Sequence, residues 1–226
     1  MNTREVLCTL LDATAFVDAV MARAFADAPD VAFAEQLRGE ALRQAIGMLD
    51  MGQTLSAKLD VAVSQACELG LDGMRSEFEN AFFGIPTKIH PYESVFESEE
   101  KMLFQPHTLE VRKAYRAQGF EAPLHAQFPD DSLALELEFL QKVLASASEA
   151  LSEGDAAACF DLINAALTFL DEHLGLWVAE FVSSFEATRF EGGFYHRLSQ
   201  LMADLVVQEK AMLRQIFSER DSYCSE

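Results

Sequence analysis

The amino-acid sequence predicts an all-α protein. Three observations carry that prediction: apolar residues recur at helical spacing along nearly the whole chain, no segment sustains period-two alternation, and the Gly and Pro residues fall between the periodic runs. The clearest run starts at Leu133, with large apolar residues at Leu137, Leu140, Leu144 and Leu151 and Ala147 between the last two. Those spacings define a buried helical seam. Leu135 and Phe139 are apolar on a neighbouring face, so this helix has more hydrophobic surface than one seam consumes.

Taken in chain order, residues 4 to 26 carry Val6, Leu10, Ala13, Val17, Val20, Met21 and Ala24 as an amphipathic helix, ended by Asp27-Ala28-Pro29-Asp30. Further helices are predicted over 31 to 50, 54 to 69 and 72 to 83, with Gly52, Gly70 and Gly73 as the nearby breakers. The stretch from Gly84 to Gln105 holds Pro86 and Pro91 and cannot be one continuous helix. Pro106 suits the first turn of a helix running to about Ala117, before Gly119. A second connector contains Pro123 and ends at Pro129-Asp130-Asp131, where an aspartate can cap the seam helix of 131 to 151.

Gly154-Asp155 reads as a break followed by an N-cap, opening a helix with Phe160, Ile163, Leu167, Leu170 and Leu174 on one face. Trp177, Phe181 and Phe185 repeat at intervals of four on the next segment, and Gly192-Gly193 precedes a last helix of about 194 to 217. The polar tail, 218 to 226, is expected to fray.

The chain has 226 residues, half of them hydrophobic, enough to bury a substantial core. Its formal net charge of −20 repels phosphate backbones and anionic lipid, which argues against a nucleic-acid partner, and it attracts basic peptides. Cys8, Cys67, Cys159 and Cys224 show no metal-ligand or redox spacing, as expected in a reducing compartment. The start, Met1-Asn2-Thr3-Arg4-Glu5, lacks the apolar core of a secretory signal, and no apolar run approaches the ~20 residues that span a bilayer. A cytoplasmic location without membrane insertion is the expectation.

Enzymatic chemistry finds little support. A di-iron centre in a helical bundle needs Glu-x-x-His on two helices, and the chain has only the reversed pair His107-x-x-Glu110. A nucleophile elbow, a phosphate-cradling glycine loop and Cys-x-x-Cys are also absent. No metal, no cofactor and no catalytic residue is expected.

Four stretches, in order, resemble the TorD/DmsD/NarJ family of cytoplasmic redox-enzyme maturation chaperones. They are Phe82-Phe83-Gly84-Ile85-Pro86 with Pro91-Tyr92-Glu93-Ser94-Val95-Phe96, then Pro129 to Leu140, Phe169 to Trp177, and Gly193-Phe194-Tyr195. The resemblance covers roughly residues 75 to 215. It implies a single helical bundle over 1–217 with a hinge-like irregular connector near 84–105, either a monomer or a domain-swapped dimer. It also implies a chaperone that binds the twin-arginine leader of a molybdopterin oxidoreductase subunit and holds that precursor until its cofactor is inserted. In similar proteins an Asp-His pair in the 130–132 turn faces the peptide-binding region. This chain has Asp131-Ser132 there, and Phe128 where a glutamate is usual.

A leader with a basic end and an apolar segment calls for an apolar groove rimmed by carboxylates. The expected lining is Tyr92, Phe96, Leu135 and Phe139, and the expected attracting carboxylates are Glu93, Asp131 and Glu138. Ser94, Asp130 and Ser132 lie in the same segments. Asp130 also reads as an ordinary helix-terminal acid, and His173 and Trp177, four residues apart, as core residues beside the site. Two other readings stand beside this one: a family chaperone for a non-exported, nitrate-reductase-type client, and a small-molecule-binding or enzymatic helical bundle.

Overall fold

The computed structural model describes residues 3–85, 89–97, 106–121 and 129–220. Expectations for the remainder of the connector, for Pro123 and Phe128, for the side chain of His107 and for most of the tail lie outside the described residues. Within them the chain is all-α, with ten α-helices: α1 (Thr3–Ala26), α2 (Val31–Arg38), α3 (Glu40–Leu49), α4 (Leu55–Phe78), α5 (Glu93–Glu97), α6 (Pro106–Ala117), α7 (Leu133–Ser152), α8 (Ala156–Glu172), α9 (Leu174–Ser183) and α10 (Phe194–Ser218).

The seam of α7 packs along α1 and against α8, and α10 closes the other side on α4, α9 and α8. Leu133, Leu137, Leu140, Leu144, Ala147 and Leu151 are all buried, as their spacing predicts. Leu135 and Phe139 find cover too. Phe139 lies in an aromatic cluster with Tyr115, Phe120 and Phe169, at ring separations of 4.9, 5.8 and 4.6 Å. A second cluster joins Phe25, Phe78, Phe82, Phe181, Phe185 and Tyr195. Each such ring contributes roughly 1.5–3 kcal/mol of hydrophobic burial, so the two clusters anchor the bundle.

Several boundaries depart from the expected ones, each for a local reason. The helix expected over 31–50 is two, because Gly39 adopts an extended backbone and donates its N–H to the Gln36 carbonyl at 3.1 Å. The break expected at Gly70 is present, by contrast: Gly70 is non-helical (φ 64°, ψ 178°), so α4 is two helical segments meeting at a kink, and the second passes into a π-helical turn over Glu79–Phe83. The seam helix is capped by Ser132, which accepts from Leu135 N at 3.4 Å, rather than by an aspartate. Asp155 caps α8 as predicted, accepting from Ala158 N at 2.9 Å.

Within the long connector, residues 89–97 are ordered onto the bundle. Tyr92 and Ser132 form an isolated antiparallel bridge: Leu133 N donates to Pro91 O and Glu93 N to Asp131 O, both at 3.0 Å. This strap carries α5 to its contacts with α6 and α9.

Candidate functional site

The bridge brings the Tyr92–Phe96 strap and the Pro129–Ser132 turn side by side, and a buried polar network ties them together. Asp131 accepts from Ser94 N at 2.9 Å and from Thr108 Oγ1 at 3.0 Å, so one carboxylate links α5, α6 and the turn before α7. Glu93 accepts from His173 Nδ1 at 3.2 Å, with both groups buried. Glu136, on the inward face of α7, accepts from Trp177 Nε1 at 3.2 Å. Burial, followed by the charges of Glu93 and Asp131, holds the Glu136 carboxyl protonated far above the usual carboxylate range. The same causes act on the tyrosines. Burial and the Asp131 charge push Tyr92 up to about 12, and burial, followed by Glu136, raises Tyr115 well above its ordinary value.

The rest of the predicted set arranges itself around this network. Phe96 is half-buried and stacks on Trp177 with ring centroids 5.5 Å apart. The Asp130 carboxylate pairs with Arg112, and its carbonyl accepts from Tyr115 OH at 2.9 Å. Glu138 pairs with Lys142 at 2.9 Å on the outer face of α7. His173 and Trp177 are buried as expected, although His173 sits at the non-helical junction between α8 and α9 rather than on a helical face shared with Trp177.

Two expectations about the lining need restating. Leu135 and Phe139 are 8% and 1% exposed, so they are core residues and not the walls of an open trough. Glu93 and Asp131 are fully buried and bonded internally, so they hold the strap in place and present no charge to solvent. For Phe139 the physical reason is the packing of Tyr115, Phe120 and Phe169 onto the apolar face of α7 that the sequence shows to be in excess.

An accessible depression does adjoin the network. A cavity of about 280 Å³ lies between α6 and α8, with Phe139, Phe169 and His173 at its base, Ala114 and Ala117 on one wall, and Asp161, Ala165, Thr168 and Glu172 on the other. Of the predicted residues, Phe139 and His173 reach it. A larger opening of about 550 Å³ lies across Phe120 and carries Lys142 in its wall. Ligand pockets fall in roughly the 300–1,000 Å³ range, which places both openings at or near it.

Glu136, Thr108, Asp161 and Glu172 were not singled out from the sequence. Glu136 carried a signal, for it is the one acid set among Leu133, Leu137 and Leu140 on the seam face. The other three become legible only when α6 and α8 are placed. Among the described residues no group of three or more His, Cys, Asp or Glu side chains is arranged to hold a metal ion. No helix among them is long and apolar enough to cross a membrane.

Comparison with known proteins agrees with this architecture. Residues 36–183 match the nitrate reductase delta subunit family. The chain is also similar to Chaperone protein TorD of Vibrio cholerae serotype O1 (strain ATCC 39315 / El Tor Inaba N16961), 25% identical over 130 residues, or 57% of this chain. It spans only 56% of that relative's length. The family match takes in α3 to α9, and with them the strap, the acidic turn and the α6–α8 cavity. On that match, which covers more than half of the sequence, this protein belongs to the nitrate reductase delta subunit family of TorD-like redox-enzyme maturation chaperones.

Proposed function

We propose that this protein is a cytoplasmic chaperone for a molybdopterin-dependent oxidoreductase, binding the amino-terminal leader of the client precursor and holding it until the cofactor is in place. The chain performs no chemistry on the client. The observation that carries the reading is a convergence: the strap 91–97, the turn 129–132 and the ends of α8 and α9 meet through one buried network, beside a cavity floored by Phe139, Phe169 and His173 and edged by carboxylates. A net charge of −20 supports a basic partner, whose approach such a field accelerates at low salt.

Held this way, the leader is kept from the export machinery, and its basic end is neutralised by acidic side chains rather than by water and counter-ions. The buried network takes no direct part in contacting the leader. Its role is to fix the strap and α6 at the distance from α8 that keeps the cavity open. Co-purification of the untagged client from its native cells tests the reading directly, with a molybdopterin oxidoreductase subunit as the expected partner. Recovery of only unrelated proteins, or of a stoichiometric small molecule, would overturn it.

The match to the nitrate reductase delta subunit family favours a second reading, in which the client is not exported and its amino-terminal segment lacks the arginine pair. Titration with synthetic leaders that carry or lack that pair separates the two. A preference of tenfold or more for the paired form, about 1.4 kcal/mol, supports an exported client.

A further inference from the structure

Asp161, Ala165, Thr168 and Glu172 follow one another along α8 at spacings of four, three and four, so they form a single line on the face turned to α6. The two carboxylates end that line eleven residues apart, a separation of about 16 Å at a rise of 1.5 Å per residue. Both are exposed, and neither has an ion pair with a described residue. Between them the floor is formed by Phe139, Phe169 and His173.

No lysine or arginine is among the residues lining the cavity. On α6, Lys113 stands one turn before Ala117 at the edge of the groove, Arg116 lies on the far face, and Arg112 is held by Asp130. The neighbouring larger opening carries Lys142 beside Glu121 and Glu149, whereas the lining of the α6–α8 groove holds Asp161 and Glu172 with no lysine or arginine.

Building on the chaperone reading, we propose that this groove docks an extended client segment in which two basic residues flank one or two apolar ones. A cavity of about 280 Å³ admits side chains but not a helix of roughly 10 Å diameter, which sets the occupant's conformation. In extended chain, at about 3.3 Å per residue, a 16 Å span places the two cations about five positions apart. Asp161 and Glu172 bind the cations, and the intervening apolar side chain enters the cavity over Phe139 and Phe169.

Calorimetric titration of the full chain with three synthetic peptides of equal composition tests this. Their two arginines stand five positions apart, adjacent, or nine apart, and each peptide carries the same Leu-Phe pair. The five-position peptide is expected to bind about tenfold tighter than the others, in keeping with one additional charge-assisted contact. The double variant Asp161→Asn, Glu172→Gln is expected to weaken it by at least tenfold and erase the spacing preference, with an unchanged unfolding midpoint because both sites are exposed.

Equal binding of the three peptides, or wild-type affinity in the double variant, would overturn the groove assignment. If the native client still co-purifies with the double variant, the groove falls while the chaperone reading stands. If no client leader binds the wild-type chain, both fall. Self-association that the double variant abolishes would assign the groove to a second copy of the chain and overturn the proposal.

Discussion

Asp131 accepts from two donors on separate elements, Ser94 N and Thr108 Oγ1, so a single side chain decides whether the strap and α6 are seated on α7. Replacing it by alanine strands both donors in a buried place. Asp131→Ala is therefore expected to lower unfolding stability by about 2–4 kcal/mol, read from the urea midpoint. Asp131→Asn, which keeps one acceptor, is expected to lose less. At this scale the sequence was half legible. The acidic turn stood out through its Pro and paired Asp residues, but an acid before a helix looks alike whether it caps the helix or turns inward. Only the bridge between Tyr92 and Ser132, a pairing across forty residues, decides between those roles. The same holds for Glu93, whose buried partner His173 lies eighty residues away.

At the scale of the element, periodicity located the long helices well because each buries a continuous stripe, as the seam of α7 shows. Junctions were harder to read, since they depend on what the chain approaches. The break between α8 and α9 is the clearest example. A Cβ added at Gly175 would lie 2.2 Å from the Leu170 carbonyl oxygen, so the chain turns there only because that position is bare. Gly175→Ala is expected to cost roughly 1–3 kcal/mol as the two helices are pushed apart, seen as a lowered thermal midpoint. Leu176→Ala, at the neighbouring half-exposed site, is expected to change that midpoint little. The split at Gly39 escaped notice for the converse reason, whereas the kink at Gly70 falls where the sequence places a breaker. A glycine inside a periodic run ends a helix or merely bends it according to its neighbours in space.

Across the whole molecule, closure of the bundle brings Asp18 of α1 and Glu209 of α10 out of water. Burial raises the Glu209 carboxyl to about 8, and burial together with the Glu209 charge raises Asp18 well above its ordinary range. Below the ordinary carboxylate pKa, the folded and unfolded forms both keep these protons. Between that value and about 8 the unfolded chain releases the Glu209 proton while the folded one retains it, so stability falls as pH rises, by at most about 1.4 kcal/mol per pH unit for one group. Glu209→Gln is expected to flatten that decline, exceeding the wild type in urea midpoint at pH 8 and converging with it near pH 4. The overall all-α class and the negative field were readable from composition and spacing alone, whereas this pair was not, because Asp18 and Glu209 come within reach of each other only once α1 and α10 are placed. The stacking of Phe96 on Trp177 has a practical corollary at the same scale. The chain contains one indole, and it sits under the strap with its N–H on Glu136. Its ultraviolet emission therefore serves as an intrinsic gauge of strap seating: a ligand that lifts residues 92–97 would redden the spectrum, and one that docks without disturbing them would leave the colour unchanged.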